Sequence, residues 1–222
     1  MSPRPDIGRG RVRVWTSSGA VTSSLATLCQ ALPVQFSLFG AAAAEPMLDD
    51  LDGVLLAGGH WARLGGTARL SILVADTWRA DALSDAFARR GVAEGARSVE
   101  VAQNGISVRT AFSSALALYA QRWMRGANES PPQGLVLTPG GLRLWAAAAG
   151  RMDDAGYVLG TSAGDDVVHL AAGAQLARLG LAAASLKQRP GPGWRITSVR
   201  RLRRLAEVVG EPVDGADRDW PC

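Results

Sequence analysis

From Pro46 onward the apolar positions recur with helical and strand periods in turn. Residues 47–56 predict a helix. Residues 68–75, where Ala68, Leu70, Ile72 and Val74 recur with a period of two and Arg69 and Ser71 fall between the first three, predict a strand. Asp76 or Thr77 stands in the capping position for a helix over 78–90, and Gly91 closes it. Residues 97–103 and 106–112 predict two strands joined through Asn104 and Gly105, a pair suited to a tight hairpin. Ser113 or Ser114 caps a further helix running to about residue 125. Residues 126–134, with Asn128, Pro131 and Pro132, read as a linker.

The pattern then restarts. Residues 142–155 predict a helix, 157–161 a short strand, and 167–179 a helix closed by Gly180. Residues 184–189 and 194–198 predict a hairpin, and 199–209 a last helix ended by Gly210. Local identities support a duplication: FARRGV at 87–92 falls on LARLGL at 176–181, and VRT at 108–110 falls on ITS at 196–198. A period this long indicates two pseudo-symmetric lobes, not a solenoid.

A tandem repeat of helix, two strands, helix, two strands, helix, with a Gly-rich helix opening each lobe, resembles the LAGLIDADG homing-endonuclease family and its non-cleaving relatives among bacterial regulators. Residues 51–59, LDGVLLAGG, keep the leucine, an alanine and the two packing glycines; residues 148–156, AAGRMDDAG, keep both glycines and one aspartate. The resemblance covers about residues 47–210 and implies an α+β fold of two lobes whose mixed or antiparallel sheets form a saddle. It implies that the helices over 47–57 and 142–155 pack on each other about a pseudo-two-fold axis, with Gly53 and Gly150 at the contact, since small residues permit close backbone approach. The expected organisation is a flexible segment at 1–46, lobes at 47–125 and 138–210, a linker at 126–137 and a tail at 211–222.

One departure from the family alters the expected chemistry. The family's metal-binding acid occupies the eighth motif position, and here those positions hold Gly58 and Ala155. Phosphodiester hydrolysis with Mg²⁺ needs carboxylate oxygens on the metal. The expectation is therefore binding without cutting, with no catalytic residue, metal or cofactor; the alternative is a nuclease using Asp52, Asp153 or Asp154 after a register shift. A second alternative is an RNA-binding or protein-binding adaptor.

Alternation in the strands assigns Leu70, Ile72, Val74, Val99, Val101, Ile106, Val108, Leu186, Trp194 and Ile196 to the core side. The opposite side receives Arg69, Ser71, Ser107, Arg109, Lys187, Arg189, Arg195 and Thr197, with Glu100 dissenting. Such side chains reach phosphate oxygens and base edges when a twisted sheet lies along a groove, so these residues are the expected duplex-DNA contacts. A solvated sheet face is the plainer reading.

The chain of 222 residues carries 24 basic groups, of which Lys187 is the one lysine, and a net charge of +4. Arginine's planar fork suits phosphate. Between residues 167 and 206 there are eight basic residues and no acidic one, which points to a polyanion or an acidic partner. The last helix places Arg200, Arg201, Arg203 and Arg204 between Leu202, Leu205 and Val208. These arginines either touch phosphate beyond the sheets or keep the protein soluble.

Ahead of the lobes, Gln35, Phe36, Ser37, Leu38 and Phe39 resemble the bacterial sliding-clamp-binding peptide. A glutamine amide anchors in a polar notch while Leu38 and Phe39 enter an apolar cleft. The competing reading is an extra strand or lid on the core. Residues 1–30, with Arg4, Arg9, Arg11 and Arg13 against Asp6 and then a Ser/Thr-rich stretch, predict a disordered or over-extended N-terminus with no secretory core.

Other chemistries find little support. Cys29 and Cys222 are the only two cysteines, too few for a disulfide framework or a thiolate zinc site. His60 and His169 have no metal-ligand spacing. Gly58, Gly59, Gly65 and Gly66 lack the Lys–Ser/Thr sequel of a phosphate-cradling loop, and Ser162 has no histidine in a nucleophile-elbow arrangement. No apolar run approaches the roughly 18–20 residues of a membrane span. The sequence thus reads as a monomeric, cytoplasmic, nucleoid-associated bacterial protein of replication, repair or regulation. Its expected partners are double-stranded DNA and the sliding clamp, with no membrane.

Overall fold

The computed structural model describes residues 40–41, 44–95, 98–126, 128–162, 165–187, 191–216 and 218–221. The first lobe opens with a 3-10 turn, Leu48–Asp50, running into helix α1, Leu51–Leu56. It continues through strands β1 (His60–Leu64) and β2 (Thr67–Val74), helix α2 (Thr77–Arg89), strands β3 (Val99–Ala102) and β4 (Gly105–Arg109), and helix α3 (Ala117–Arg122). The two-residue strands β5 (Met124–Arg125) and β6 (Asn128–Glu129) lead to the second lobe. That lobe holds helix α4 (Pro139–Ala149), strands β7 (Gly150–Asp153) and β8 (Gly156–Gly160), helix α5 (Asp166–Arg178), strands β9 (Ala184–Leu186) and β10 (Gly193–Ile196), and helix α6 (Val199–Val209).

The two four-stranded sheets repeat one topology, β1-β2-β4-β3 and β7-β8-β10-β9, and every pairing is antiparallel. The duplication extends to single hydrogen bonds. Helices α2 and α5 are both 13 residues long and end on Gly91 and Gly180, at φ of +68° and +74°. After them Val92 N–H donates to Phe87 O at 3.0 Å and Leu181 N–H to Leu176 O at 2.8 Å. This is the six-to-one closure that a left-handed residue permits after a helix, and glycine takes that conformation without a Cβ penalty.

Besides the short β5 and β6, two strands are absent from the periodicity argument, and each of these two extends a lobe's sheet. Strand β1 turns into β2 through Gly65 and Gly66, with Gly65 at φ +57° and Thr67 Oγ1 donating to Leu64 O at 2.7 Å. Strand β7 replaces the end of the helix expected over 142–155. That helix instead starts at Pro139 under a Thr138 cap, whose hydroxyl accepts from Gly141 N–H at 2.8 Å. It stops at Ala149, and Gly150 turns extended at φ −80° and ψ 146° where no side chain fits, since a Cβ there would lie 2.0 Å from Tyr157 Oη. Ala155 accordingly sits in the β7–β8 turn, where Asp153 Oδ1 accepts its N–H at 2.9 Å.

The lobes meet along α1 and α4. A Cβ on Gly53 would fall 1.8 Å from Gly141 O, so the two backbones touch. Gly53 lies at the contact as expected, but its partner is Gly141; Gly150 packs on Tyr157. Buried Asp50 braces the same junction, taking Arg90 Nη2 at 2.5 Å and Thr138 Oγ1 at 2.6 Å. Around it one core runs through both lobes, with Phe87 and Trp123 of the first and Trp145 and Tyr157 of the second fully buried.

The connecting and final segments join that core. Leu135 and Leu137 are buried, as are Ala216 and Trp220. Trp220 Nε1 donates to Gly210 O at 2.8 Å. No helix among the described residues is long and apolar enough to cross a membrane.

Candidate nucleic-acid interface

Strand register sorts the side chains of each sheet onto two faces. In the first lobe Ala68, Leu70, Ile72 and Val74 meet the helices, and Val108 pairs with Ile72 on that side. The outer face carries Arg69, Ser71 and Leu73 from β2, with Arg109 and Ser107 opposite Ser71 and Leu73. Sequence alternation thus places these four polar residues on one face, as observed, although Ser71 is nearly covered. Val99 and Val101 lie on the helix side of edge strand β3 yet remain solvent-facing, Val101 at 84% exposure.

In the second lobe Tyr157, Leu159, Trp194 and Ile196 face the helices. Arg195 and Val158 pair on the opposite face, where Val158 is itself fully buried, and Arg151 of β7 sits opposite Val158 from the other side. Thr197 follows β10 and is exposed.

Strand β9 corrects the alternation by one residue. Leu186 pairs with Gly193 on the outer face, while Ser185 pairs with Trp194 and turns inward, its Oγ 2.8 Å from His169 Nε2. Lys187 therefore belongs to the helix side, and with burial as the larger cause its charge lowers the proton affinity of His169. A shift of one residue exchanges the faces of a strand, and small residues at 184 and 185 offer no alternation to fix the register. Arg189 and residues 35–39, Gln35, Phe36, Leu38 and Phe39 among them, lie outside the described residues.

The outward arginines differ in how they are held. Arg109 is neutralised by Glu94 and Glu100, each at 3.0 Å. Arg195 is paired with Asp153. Arg69 and Arg151 form no ion pair among the described residues. The Arg69 guanidinium lies 4.6 Å from the centroid of Phe112, and both Arg69 Nε and Arg151 Nη2 are buried without a hydrogen-bond partner. An arginine nitrogen left unsatisfied keeps its full desolvation cost until an acceptor arrives. Arg151 is the site residue that sequence reading missed. Its signal was available in Gly150 after four alanines and in the Asp-Ala-Gly turn that reverses the chain.

At the carboxyl ends of α1 and α4 stand Ala57 and Gly58 in one lobe and Ala148 and Ala149 in the other, none with a carboxylate. The end of α4 is instead filled by buried Arg79, which donates to Ala147 O at 3.0 Å and Gly150 O at 2.7 Å. The three carboxylates considered as substitutes have other employment. Asp153 binds Arg195, Asp154 lies exposed in a turn, and Asp52 accepts Trp123 Nε1–H at 2.7 Å. Among the described residues no three His, Cys, Asp or Glu side chains gather as a metal site.

Burial pushes Asp52 up to about 6, against the opposing pull of the Trp123 indole N–H and of Arg122. The folded protein thus holds this proton more tightly than the unfolded chain. Stability linked to Asp52 rises as pH falls from about 6 to about 4 and is lost as pH rises through that window, by up to about 3 kcal/mol. Asp52→Asn keeps an acceptor for Trp123 and removes the titration. In urea denaturation at pH 4.5 and 7, its stability relative to wild type should rise with pH; an unchanged difference would mean Asp52 is already ionised at both.

No protein-family model matches the sequence, and no curated protein is similar to it. Two solved structures share its architecture. Full-length DUF199/WhiA from Thermatoga maritima superposes with a TM-score of 0.51 at 15% identity, over 76% of this chain and 56% of that one. The homing endonuclease I-WcaI, bound to its DNA recognition sequence, superposes with a TM-score of 0.51 at 12% identity, over 83% of this chain and 92% of the other. The fold resembles that of the LAGLIDADG homing endonucleases and of WhiA. Identities this low establish the LAGLIDADG-like fold alone, and this chain spans little more than half of WhiA.

Proposed function

We propose that the protein binds double-stranded DNA across the outer faces of its two sheets and does not cut it. The observation that carries this reading is the pair Arg69 and Arg151, one in each lobe, outward on their sheets and without a carboxylate partner. The likeness to I-WcaI, which was solved on its DNA recognition sequence, supports DNA as the ligand. Arg109 and Arg195 contribute as exchangeable contacts that leave their carboxylates for phosphate. Lys187 is no longer part of the site. Cleavage is not proposed, because neither motif-helix end offers a carboxylate to hold a metal against a phosphodiester.

The test is salt-dependent duplex binding. Arg69→Gln with Arg151→Gln should weaken binding and reduce the slope of log K against log salt by about 1.8, at roughly 0.9 per lost phosphate contact. An unchanged slope would remove the sheets as the interface. Mg²⁺ added to the wild-type complex should produce no nick; sequence-specific cleavage lost in Asp154→Asn would establish the nuclease alternative.

Recruitment to a sliding clamp through Gln35, Phe36, Leu38 and Phe39 is proposed as a separate, modular property. A peptide spanning residues 32–40 should bind a bacterial clamp at about micromolar Kd, or −7 to −8 kcal/mol. Truncating Leu38 and Phe39 to alanine should abolish that binding and leave duplex affinity intact. A wild-type peptide that does not bind would end the clamp proposal.

A further inference from the structure

Helix α6 is basic on the side it turns to solvent. Leu202, Leu205 and Val209 are buried in the core, which leaves Arg200, Arg201, Arg203 and Arg204 outside. Two of these arginines are structurally committed: Arg204 Nε donates to Leu179 O at 2.8 Å, and Arg201 Nη1 to Ala182 O at 3.0 Å. They satisfy carbonyls at and beyond the end of α5, where the helix dipole favours a cation. Arg200 and Arg203 make no hydrogen bond or ion pair with any described residue. They line an open groove of about 920 Å³ together with Ser198 and Gly180, and Glu207 is the one acid in it.

The groove belongs to the helical side of the second lobe. Helix α5 packs on the inner face of its sheet, where His169 stacks on Trp194 at 4.8 Å between ring centroids. Arg151 and Arg195 occupy the opposite face. A straight duplex lying on the sheets therefore cannot enter the groove.

We propose that this groove is a second nucleic-acid contact, in which Arg200 and Arg203 grip backbone phosphates of a duplex segment other than the one on the sheets. The inference builds on the DNA-binding reading above. Guanidinium forks match phosphate oxygens two at a time. Arg200 and Arg203, three apart on a helix, point the same way. Four arginines dominate its lining, with Val199 its one aliphatic side chain and Glu207 its one acid, and an excess of guanidinium groups over apolar anchors is the composition of a phosphate-backbone interface. A chain with both contacts bridges two duplex segments.

Stoichiometry decides the matter. The full chain is titrated at low salt with a duplex of about 16 bp, one and a half helical turns, and complexes are counted by sedimentation. Wild type should bind two duplexes. Arg200→Glu with Arg203→Glu should bind one, and Arg69→Gln with Arg151→Gln should also bind one or hold the first far more weakly. Because residues 200 and 203 are exposed, the variant should keep the wild-type melting temperature, which circular dichroism checks. One duplex on wild type, lost only in the Arg69/Arg151 variant, would overturn the groove and leave the sheet reading standing. One duplex lost only in the Arg200/Arg203 variant would overturn the sheet reading and keep the groove. No binding to wild type would overturn both, and binding of an acidic peptide at the groove in preference to duplex would overturn the groove alone.

Discussion

Gly53→Val is expected to prevent the protein from folding at 37 °C. The first atom of any side chain at this position falls 1.8 Å from Gly141 O, and behind that oxygen lie Gly141 C and Cα at 2.6 and 3.0 Å. Backbone cannot rotate away as a side-chain end does, so α1 and α4 would have to separate. Ordinary overpacking costs about 1–3 kcal/mol, and a clash with main chain exceeds that range. Against a domain stability of about 5–15 kcal/mol, separation of the helices that join both lobes removes most or all of it. The measurement is soluble yield and urea midpoint for Gly53→Ala and Gly53→Val. Wild-type midpoints in both would mean that the helices do not touch in solution.

Arg79→Met should be nearly as damaging, although it is hydrophobic and close in size. Arg79 is 6% exposed, and its guanidinium binds Ala147 O, Gly150 O and the carboxylates of Asp76 and Asp219. Replacement leaves the carbonyl end of α4 without donors and two carboxylates without their cation. Asp76 and Asp219 are about half and a third exposed and can turn to water, so the loss falls on the buried carbonyls of Ala147 and Gly150, at about 1–3 kcal/mol for each left without a donor. Arg79→Lys should recover only part of the loss, because a single ammonium cannot serve carbonyls and both carboxylates from one fork. A Met variant within about 1 kcal/mol of wild type would show that water replaces the guanidinium at this helix end.

Where the sequence was legible, a residue type enforced one conformation. Gly91 and Gly180 mark the ends of two helices of equal length, and the repeat seen in six residues extends to their closing hydrogen bonds. Asn104 with Gly105 marks the β3–β4 turn, where a Cβ on Gly105 would lie 2.5 Å from Val74 O. Where it was not legible, the residues were conformationally neutral. Four alanines at 146–149 fit a helix and carry no face, so the boundary with β7 and the outward position of Arg151 were lost. Gly65 and Gly66, which lack the sequel of a phosphate loop, form the β1–β2 hairpin turn, which the period of the flanking residues does not announce. In β9, Ala184 and Ser185 are small, and the inward turn of Ser185 is set by His169, which lies in another element. The carboxylate partners of Arg109 and Arg195 come from the neighbouring loop and strands, so pattern along one strand could not foretell how many charges remain available.

The touching backbones of Gly53 and Gly141 also bear on mechanics. A joint lined with long side chains yields by exchanging rotamers, whereas one made of peptide against peptide has no such give, and Asp50 bolts it to both helices. The two lobes consequently act as the fixed jaws of a caliper. Whatever lies across them must already have, or be bent into, the span those jaws set, and the work of fitting falls on the guest.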